Sequence, residues 1–228
     1  MVYDQERFND FILEQKVIGF FKEPITLKSG KQSHWYVNWR SVTEDVRATE
    51  ILAHYILEFV SEIGLMPDCF YGVPEGATKV ALLTQYLWAK DYSNVYGVGT
   101  HCLPMGRGKP KEHGEAKDRY FLGEPQGKII VLEDVTTTGD SLLKTIDQLD
   151  VMNKSVLCAI GLTNRNEVFE DGRTVEKIFQ GREVTYFAMS NAQDLLPRAY
   201  QIQKPGEEIW GLVMQEFRYG VGKQPRLV

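Results

Sequence analysis

One stretch of the sequence, KIIVLEDVTTTGDSLL at residues 128–143, holds the side chains best suited to chemistry. Four apolar residues precede two carboxylates, Glu133 and Asp134, and a hydroxyl-rich turn with Gly139 follows. Free N–H groups at a helix start bind phosphate, and glycine allows close approach. The acids repel phosphate but suit vicinal hydroxyls or a nearby Mg²⁺ ion. The stretch therefore predicts a site for a phosphorylated sugar. The alternative is a helix N-terminus whose acids only complement the dipole.

A second candidate is the polar segment LPMGRGKPKEHGEAKDRY at residues 103–120, which shows no periodicity. Between residues 105 and 119 it contains five basic and three acidic residues, so it is locally positive within an acidic chain. Loops of this length in a compact domain are usually functional or mobile. Neither of two common nucleotide-binding motifs, G-x-x-x-x-G-K-[ST] and G-x-G-x-x-G before a helix, is present.

The apolar pattern predicts the elements that position these residues. Helical spacing predicts helices over residues 4–16, from an N-cap at Thr43 to about Gly64, and over 79–89, 141–152 and 191–200. Apolar runs predict strands at 69–73, 94–102, 128–134, 155–163 and 183–189, after a strand-and-turn region at 18–39. Alternating strands and helices predict an α/β fold with a mostly parallel sheet, and ligands in such folds bind at the carboxyl ends of the strands.

Composition excludes several classes of protein. The 228 residues are 43% hydrophobic and 25% charged, with a net charge of −5, which is ordinary globular usage and argues against a nucleic-acid coat or an anionic-membrane binder. Three cysteines in apolar runs predict buried thiols in a reducing compartment. The polar, acidic N-terminus is no signal peptide, and no apolar run approaches the ~20 residues of a membrane span. We expect one cytoplasmic domain over residues 1–228.

The segment VLEDVTTTGDS resembles the 5-phosphoribosyl 1-diphosphate (PRPP) motif of type I phosphoribosyltransferases. The resemblance implies that the acids contact the ribose hydroxyls and that the turn holds the 5-phosphate. Asp140 departs from the family, which usually has a small or hydroxyl residue there. The segment YGVPEGATKVA resembles the pyrophosphate loop, although some members carry a lysine where Glu75 stands. The implied PRPP-binding residues are Glu133, Asp134, Val135, Thr136, Thr137, Thr138, Gly139, Asp140, Ser141, Glu75 and Gly76.

Three further segments resemble orotate phosphoribosyltransferases in particular. ITLKSGKQSHWYVN implies that Lys28 lies over the pyrophosphate and orotate, and that orotate meets the backbone of Tyr36 and Val37. RGKPKEHG resembles the mobile catalytic loop, although glycine at position 108 replaces the second basic residue of the family. The catalytic residues implied there are Arg107, Lys109, Lys111 and His113. LTNRNEVFEDG implies that Arg165 pairs with the carboxylate of orotate, with Thr137 as a second contact.

The resemblance covers about residues 5–205 and implies a type I phosphoribosyltransferase-like fold, a twisted, mostly parallel sheet flanked by helices. Residues 1–42 would contribute to a small hood. The implied reaction joins orotate and PRPP into orotidine 5′-monophosphate and diphosphate, in de novo UMP biosynthesis. Mg²⁺ would be held mainly through PRPP, near Glu133 and Asp134, with no direct ligand. A homodimer is also implied, in which the 104–119 loop reaches the neighbouring site, and the other partners are small molecules.

Two alternatives remain open at this point. One is a PRPP-sensing regulator without catalysis, which Gly108 and Asp140 would support. The other is a phosphoribosyltransferase for another base. Arg165 argues against a neutral purine, because a buried, unpaired guanidinium is costly. The resemblance does not cover residues 207–228, in which the segment IWGLVMQEFRYG is predicted to form either a helix or an edge strand.

Overall fold

The computed structural model describes residues 2–27, 30–167 and 172–220. The helix over Thr78–Leu87 continues as one π-helical turn over Trp88–Tyr92. In chain order the elements are α1 (Gln5–Glu14), β1 (Ile18–Thr26), β2 (Gln32–Val37), α2 (Trp39–Val42), α3 (Val46–Glu62), β3 (Cys69–Gly72), α4 (Thr78–Leu87), β4 (Met105–Gly106), α5 (Ala116–Tyr120), β5 (Phe121–Gly123), β6 (Lys128–Thr136), α6 (Asp140–Val151), β7 (Ser155–Asn164), α7 (Val175–Gln180), β8 (Thr185–Ala188), α8 (Ala192–Gln203) and α9 (Glu207–Gly220).

The central sheet is parallel and has the strand order β3-β6-β7-β8. Strand β6 pairs with β3 from Cys69↔Ile129 to Gly72↔Leu132 and with β7 along most of its length. Because all four strands run in the same direction, their carboxyl ends meet at one edge of the sheet, where ligands bind in folds of this type. The α/β prediction is therefore confirmed.

Alternate residues of β6 divide the core into two layers. Ile130 and Leu132 belong to the cluster formed with α1, α3, α4, α8 and α9, whereas Ile129 and Val131 belong to the cluster formed with α6 and α7. Successive side chains of a strand point to opposite faces, so an unbroken apolar run is what a strand covered on both faces requires. Full burial of each of these side chains contributes about 1.5–3 kcal/mol.

The N-terminal hairpin, which consists of β1 and β2, forms a separate antiparallel sheet. Helix α9 packs on it, and the ring of Phe217 stacks on that of Trp35 with 6.0 Å between centroids. The segment IWGLVMQEFRYG at residues 209–220, predicted as a helix or an edge strand, thus lies in a helix. The helix brings the C-terminal part of the chain against β2.

Two local predictions are wrong. Residues 94–102 form no strand, because the segment folds back into a turn in which the Thr100 hydroxyl donates to the Gly97 carbonyl (2.8 Å), leaving Val95 and Val98 exposed. Thr43 is not the N-cap of α3. The Asp45 carboxylate accepts the Ala48 N–H at 2.8 Å and starts the helix two residues later than predicted.

In the part of the chain that the structure describes, no helix combines the length and apolarity needed to cross a bilayer. The three cysteines are free; Cys69 and Cys158 are buried, as predicted, and Cys102 is half-buried.

Candidate active site

The predicted phosphate turn connects the carboxyl end of β6 to the start of α6. Gly139 has φ +84°, and a Cβ there would lie 2.8 Å from Val175 Cγ2, so only glycine fits. The turn thus presents backbone N–H groups and the positive end of a 12-residue helix at the sheet edge. Asp140, the first residue of that helix, is exposed.

The hydroxyl groups of this turn are not equally accessible. Thr137 and Thr138 are half-buried, whereas the Thr136 side chain is buried over Gly161, together with the Tyr186 hydroxyl. A Cβ at Gly161 would lie 2.5 Å from Thr136 Oγ1 and 2.7 Å from Tyr186 Oη. Burial raises the pKa of Tyr186 above its usual range, so this phenol stays protonated. Thr137 and Thr138 are therefore better placed than Thr136 to offer a hydroxyl to a phosphate.

The two acids at the end of β6 differ in their surroundings. Glu133 is only 6% exposed, whereas Asp134 is half-buried, with Oδ1 accepting the Val135 N–H at 2.9 Å. The Asp134 carboxylate lies directly against Gly76, where a Cβ would come within 2.1 Å of Oδ2. The predicted pyrophosphate loop therefore adjoins the predicted ribose-binding acid.

The predicted catalytic loop meets the same pyrophosphate loop. A Cβ at Gly108 would lie 2.8 Å from Glu75 Oε1. Two positions earlier, on β4, a Cβ at Gly106 would lie 2.1 Å from the Tyr71 hydroxyl at the end of β3. Three segments that are far apart in sequence thus converge at the carboxyl edge of the sheet, which is where the sequence placed the PRPP site.

The predicted catalytic loop is held as a long hairpin by its backbone. The Arg107 N–H donates to the Tyr120 carbonyl and the Lys111 N–H to the Arg119 carbonyl, each at 2.9 Å. The Arg107 Nε–H also donates to the Asp118 carbonyl at 3.1 Å. The remaining predicted catalytic residues of the loop, Lys109, Lys111 and His113, are exposed.

The predicted base-binding residues lie between the N-terminal hairpin and the end of β7. Tyr36 is 37% exposed and Val37 is buried on β2. The Arg165 N–H donates to the Thr136 carbonyl at 2.8 Å, which joins this region to the phosphate turn. Lys28, the other residue predicted to lie over the base, is outside the described residues.

Arg165 itself is only 2% exposed and is already engaged within the protein. Its Nε–H donates to Glu167 Oε1 at 2.8 Å, and its Nη2 group donates to Ser33 Oγ at 3.1 Å. The guanidinium also lies 3.7 Å from the centroid of the Trp35 ring. Burial lowers the pKa of Arg165, opposed by Glu167, and the group stays charged. The sequence did not predict these partners.

Two of the partners of Arg165 carry a partial signal in the sequence. Ser33 and Trp35 lie inside the segment that resembles the orotate signature, but no role was assigned to them. Glu167 lies two positions after Arg165, where only a folded chain shows that the two side chains pair. Glu216, on α9, accepts hydrogen bonds from Ser33 and from the His34 N–H and lies outside every matched motif.

No protein-family model matches the chain. An orotate phosphoribosyltransferase of Bradyrhizobium diazoefficiens is 31% identical over 154 residues, which are 65% of this chain and 78% of that protein. The chain belongs to the orotate phosphoribosyltransferase family. An orotate phosphoribosyltransferase of Thermococcus gammatolerans is 27% identical over 198 residues, covering 87% of this chain and 95% of that one.

Solved structures show the same fold. The orotate phosphoribosyltransferase of Francisella tularensis matches with a TM-score of 0.66 at 18% identity, covering 95% of this chain and all of that one. The fold is thus that of the type I phosphoribosyltransferases, as the resemblance implied. Membership of the orotate phosphoribosyltransferase family also confirms the family predicted from the sequence motifs.

Proposed function

We propose that this protein transfers the 5-phosphoribosyl group of PRPP to N1 of orotate, yielding orotidine 5′-monophosphate and diphosphate. The observation that carries the proposal is the contact of the Asp134 carboxylate with Gly76, next to the phosphate turn. A carboxylate, a pyrophosphate loop and a helix start meet there, and these are the groups that a phosphorylated ribose with a diphosphate needs. Within the cell, the reaction belongs to the synthesis of UMP.

The bond changes at C1 of the ribose define what the protein must do. N1 of orotate bonds to C1 as the bond from C1 to the diphosphate oxygen breaks. That electron pair leaves with the diphosphate, and the proton of N1 is released. No covalent nucleophile is needed, so the protein's task is to position two substrates and to stabilise the leaving group. The turn from Val135 to Ser141 holds the 5-phosphate, and Glu133 and Asp134 hold the ribose hydroxyls.

The exposed loop supplies the charge for the leaving group. Arg107, Lys109 and Lys111 lie over the diphosphate when the loop closes, and His113 donates a proton or hydrogen bond to it. Lys28 is proposed to lie over the pyrophosphate and orotate. Closure also keeps water from the activated sugar.

The loop reaches the neighbouring site in a homodimer. The exposed apolar side chains of Val95, Val98 and Leu103 suit such an interface.

Mg²⁺ is proposed as the metal of the reaction. In the described part of the chain, no three His, Cys, Asp or Glu side chains are grouped so that they would hold a metal. Two neighbouring carboxylates, Glu133 and Asp134, fit an ion that takes most of its ligands from PRPP and water. When bound, Mg²⁺ neutralises part of the diphosphate charge.

Orotate is the proposed base because Arg165 can pair with its carboxylate. Since Arg165 is 2% exposed, orotate reaches it only after Glu167 or the N-terminal hairpin shifts. Tyr36 and Val37 then meet the ring through their backbone, with Thr137 as a further contact. The three free thiols are consistent with a cytoplasmic location.

The test is the loss of orotate absorbance in a mixture of purified protein, PRPP and Mg²⁺. Controls omit each component in turn, and one replaces orotate with uracil, which lacks the carboxylate. Loss that requires all the components and does not occur with uracil is expected. Thermal stabilisation by PRPP without any loss of orotate would overturn the proposal. That result would favour a PRPP sensor or a transferase for another base.

A further inference from the structure

Helix α9 contacts β2 through two adjacent residues, Glu216 and Phe217. The Glu216 carboxylate accepts the Ser33 hydroxyl at 2.8 Å and the His34 N–H at 2.6 Å. Phe217 is 2% exposed and stacks on the Trp35 ring. Neither residue lies in a segment that resembles the family, and no role in the reaction has been derived for either.

Both contacts lead to Arg165. Ser33 Oγ, which is bonded to Glu216, also accepts the Nη2 group of Arg165 at 3.1 Å. Trp35, which stacks on Phe217, lies under the Arg165 guanidinium at 3.7 Å. The helix therefore reaches Arg165 by two routes, one polar and one aromatic, and each passes through a single residue of β2.

The polar route depends on which way the Ser33 hydroxyl points. Ser33 is fully buried and has one hydroxyl hydrogen, for which Glu216 Oε2 and the Trp35 carbonyl, both at 2.8 Å, compete. A carboxylate is the stronger acceptor. With the hydrogen on Glu216, the two lone pairs of Ser33 Oγ accept the Nη2 group of Arg165 at 3.1 Å and the Trp35 N–H at 3.3 Å. An amide at position 216 could instead donate to Ser33 and occupy one of those lone pairs.

We propose that Glu216 is a positioning residue for orotate binding, which acts on Arg165 through the hydroxyl of Ser33. The inference rests on the proposed function, in which Arg165 meets the carboxylate of the base. Burial raises the pKa of Glu216, opposed by its bonds to His34 and Ser33 and by the charge of Arg165. Its two hydrogen bonds are those that a carboxylate acceptor makes.

The experiment compares Michaelis constants in full-length Glu216→Gln and wild-type protein. We expect Glu216→Gln to raise KM for orotate about tenfold, with KM for PRPP within about twofold of the wild-type value. Glu207→Gln is the matched control because Glu207 is exposed on the first turn of the same helix. This control should leave both constants unchanged. A KM for orotate that stays at the wild-type value, or a joint rise of both constants, overturns the inference.

Ser33→Ala tests the same route from β2. It should raise KM for orotate in the same way, and the double variant should be no worse than the more impaired single variant, because both changes break one path. Should Glu216→Gln fail to fold, an unchanged KM for orotate in Ser33→Ala would still refute the inference. If the wild-type protein does not consume orotate, the proposed function fails first. If the wild-type protein consumes orotate and Glu216→Gln has the same KM for orotate, only this inference fails.

Discussion

The contact between Gly76 and Asp134 allows the ribose-binding role of Asp134 to be tested without touching the acid itself. A Cβ at position 76 would lie 2.1 Å from Oδ2, 2.4 Å from Cγ and 2.6 Å from Oδ1 of Asp134. All three atoms would be well inside van der Waals contact. In Gly76→Ala the carboxylate must therefore leave its place, and its bond from the Val135 N–H at 2.9 Å is lost.

The size of the effect follows from the cost of one added methyl group. Overpacking a close-fitting site costs about 1–3 kcal/mol. If the cost falls on the PRPP complex, each 1.4 kcal/mol lowers kcat/KM for PRPP by a factor of ten. The ratio kcat/KM for PRPP should then drop about 5- to 150-fold. Because Asp134 is only half-buried, its side chain can turn outward, and the fold should survive.

The assay is orotate consumption at varied PRPP, with thermal unfolding measured on the same samples. Gly211→Ala is the matched control, because a Cβ at that helical position meets no described atom within 4 Å. This control should keep its activity and gain slightly in stability from the better helix propensity of alanine. A Gly76→Ala protein whose kcat/KM for PRPP equals that of the control would refute the assignment of Asp134 to the ribose.

Three further outcomes are expected. Lys111→Ala should lower turnover by about a hundredfold or more and leave thermal unfolding unchanged. Lys177 is exposed on α7, so the control Lys177→Ala should change neither turnover nor thermal unfolding. Full activity in Lys111→Ala would remove the loop from the mechanism. Gly161→Ala should destabilise the fold by about 1–3 kcal/mol in denaturant unfolding, since its methyl meets two buried hydroxyls. An unfolding midpoint in Gly161→Ala equal to that of the wild-type protein would contradict the close packing at position 161. Iodoacetamide should alkylate Cys102 first, because a hydrogen bond from Cys69 lowers the pKa of Cys102 to about 6. The rate, followed by peptide mass mapping from pH 5 to 10, should rise with a midpoint at about pH 6 as the thiolate forms. A midpoint at about 8.5 would disprove the lowered pKa.

The central sheet and the phosphate turn could be predicted because their signals are local. The run from Ile129 to Leu132, the two acids and Gly139 occupy one continuous stretch, and both the strand and the start of α6 follow from it. The same reasoning was wrong for residues 94–102. The apolar run there is strand-like, but Gly97 and Thr100 close a turn that leaves Val95 and Val98 exposed.

The surroundings of Arg165 could not be predicted, for a different reason. Its partners Ser33, Trp35 and Glu167 come from two distant parts of the chain, and only Glu167 is near it in sequence. The sequence motif implied that this arginine meets a substrate, but a motif says nothing about which internal groups pair with it first. Only the packing of the N-terminal hairpin on the end of β7 shows that Arg165 is enclosed.

The hydrogen bond between Ser33 and Glu216 also bears on the order in which the protein is made. The two residues are 183 positions apart, so at about 5–20 residues per second a ribosome adds Glu216 roughly 10–40 s after Ser33. By then β3, β6 and β7, with the turn at Gly139, have already been synthesised. During translation, the half of the site that takes the sugar phosphate can therefore assemble while the N-terminal hairpin still lacks its contact with helix α9.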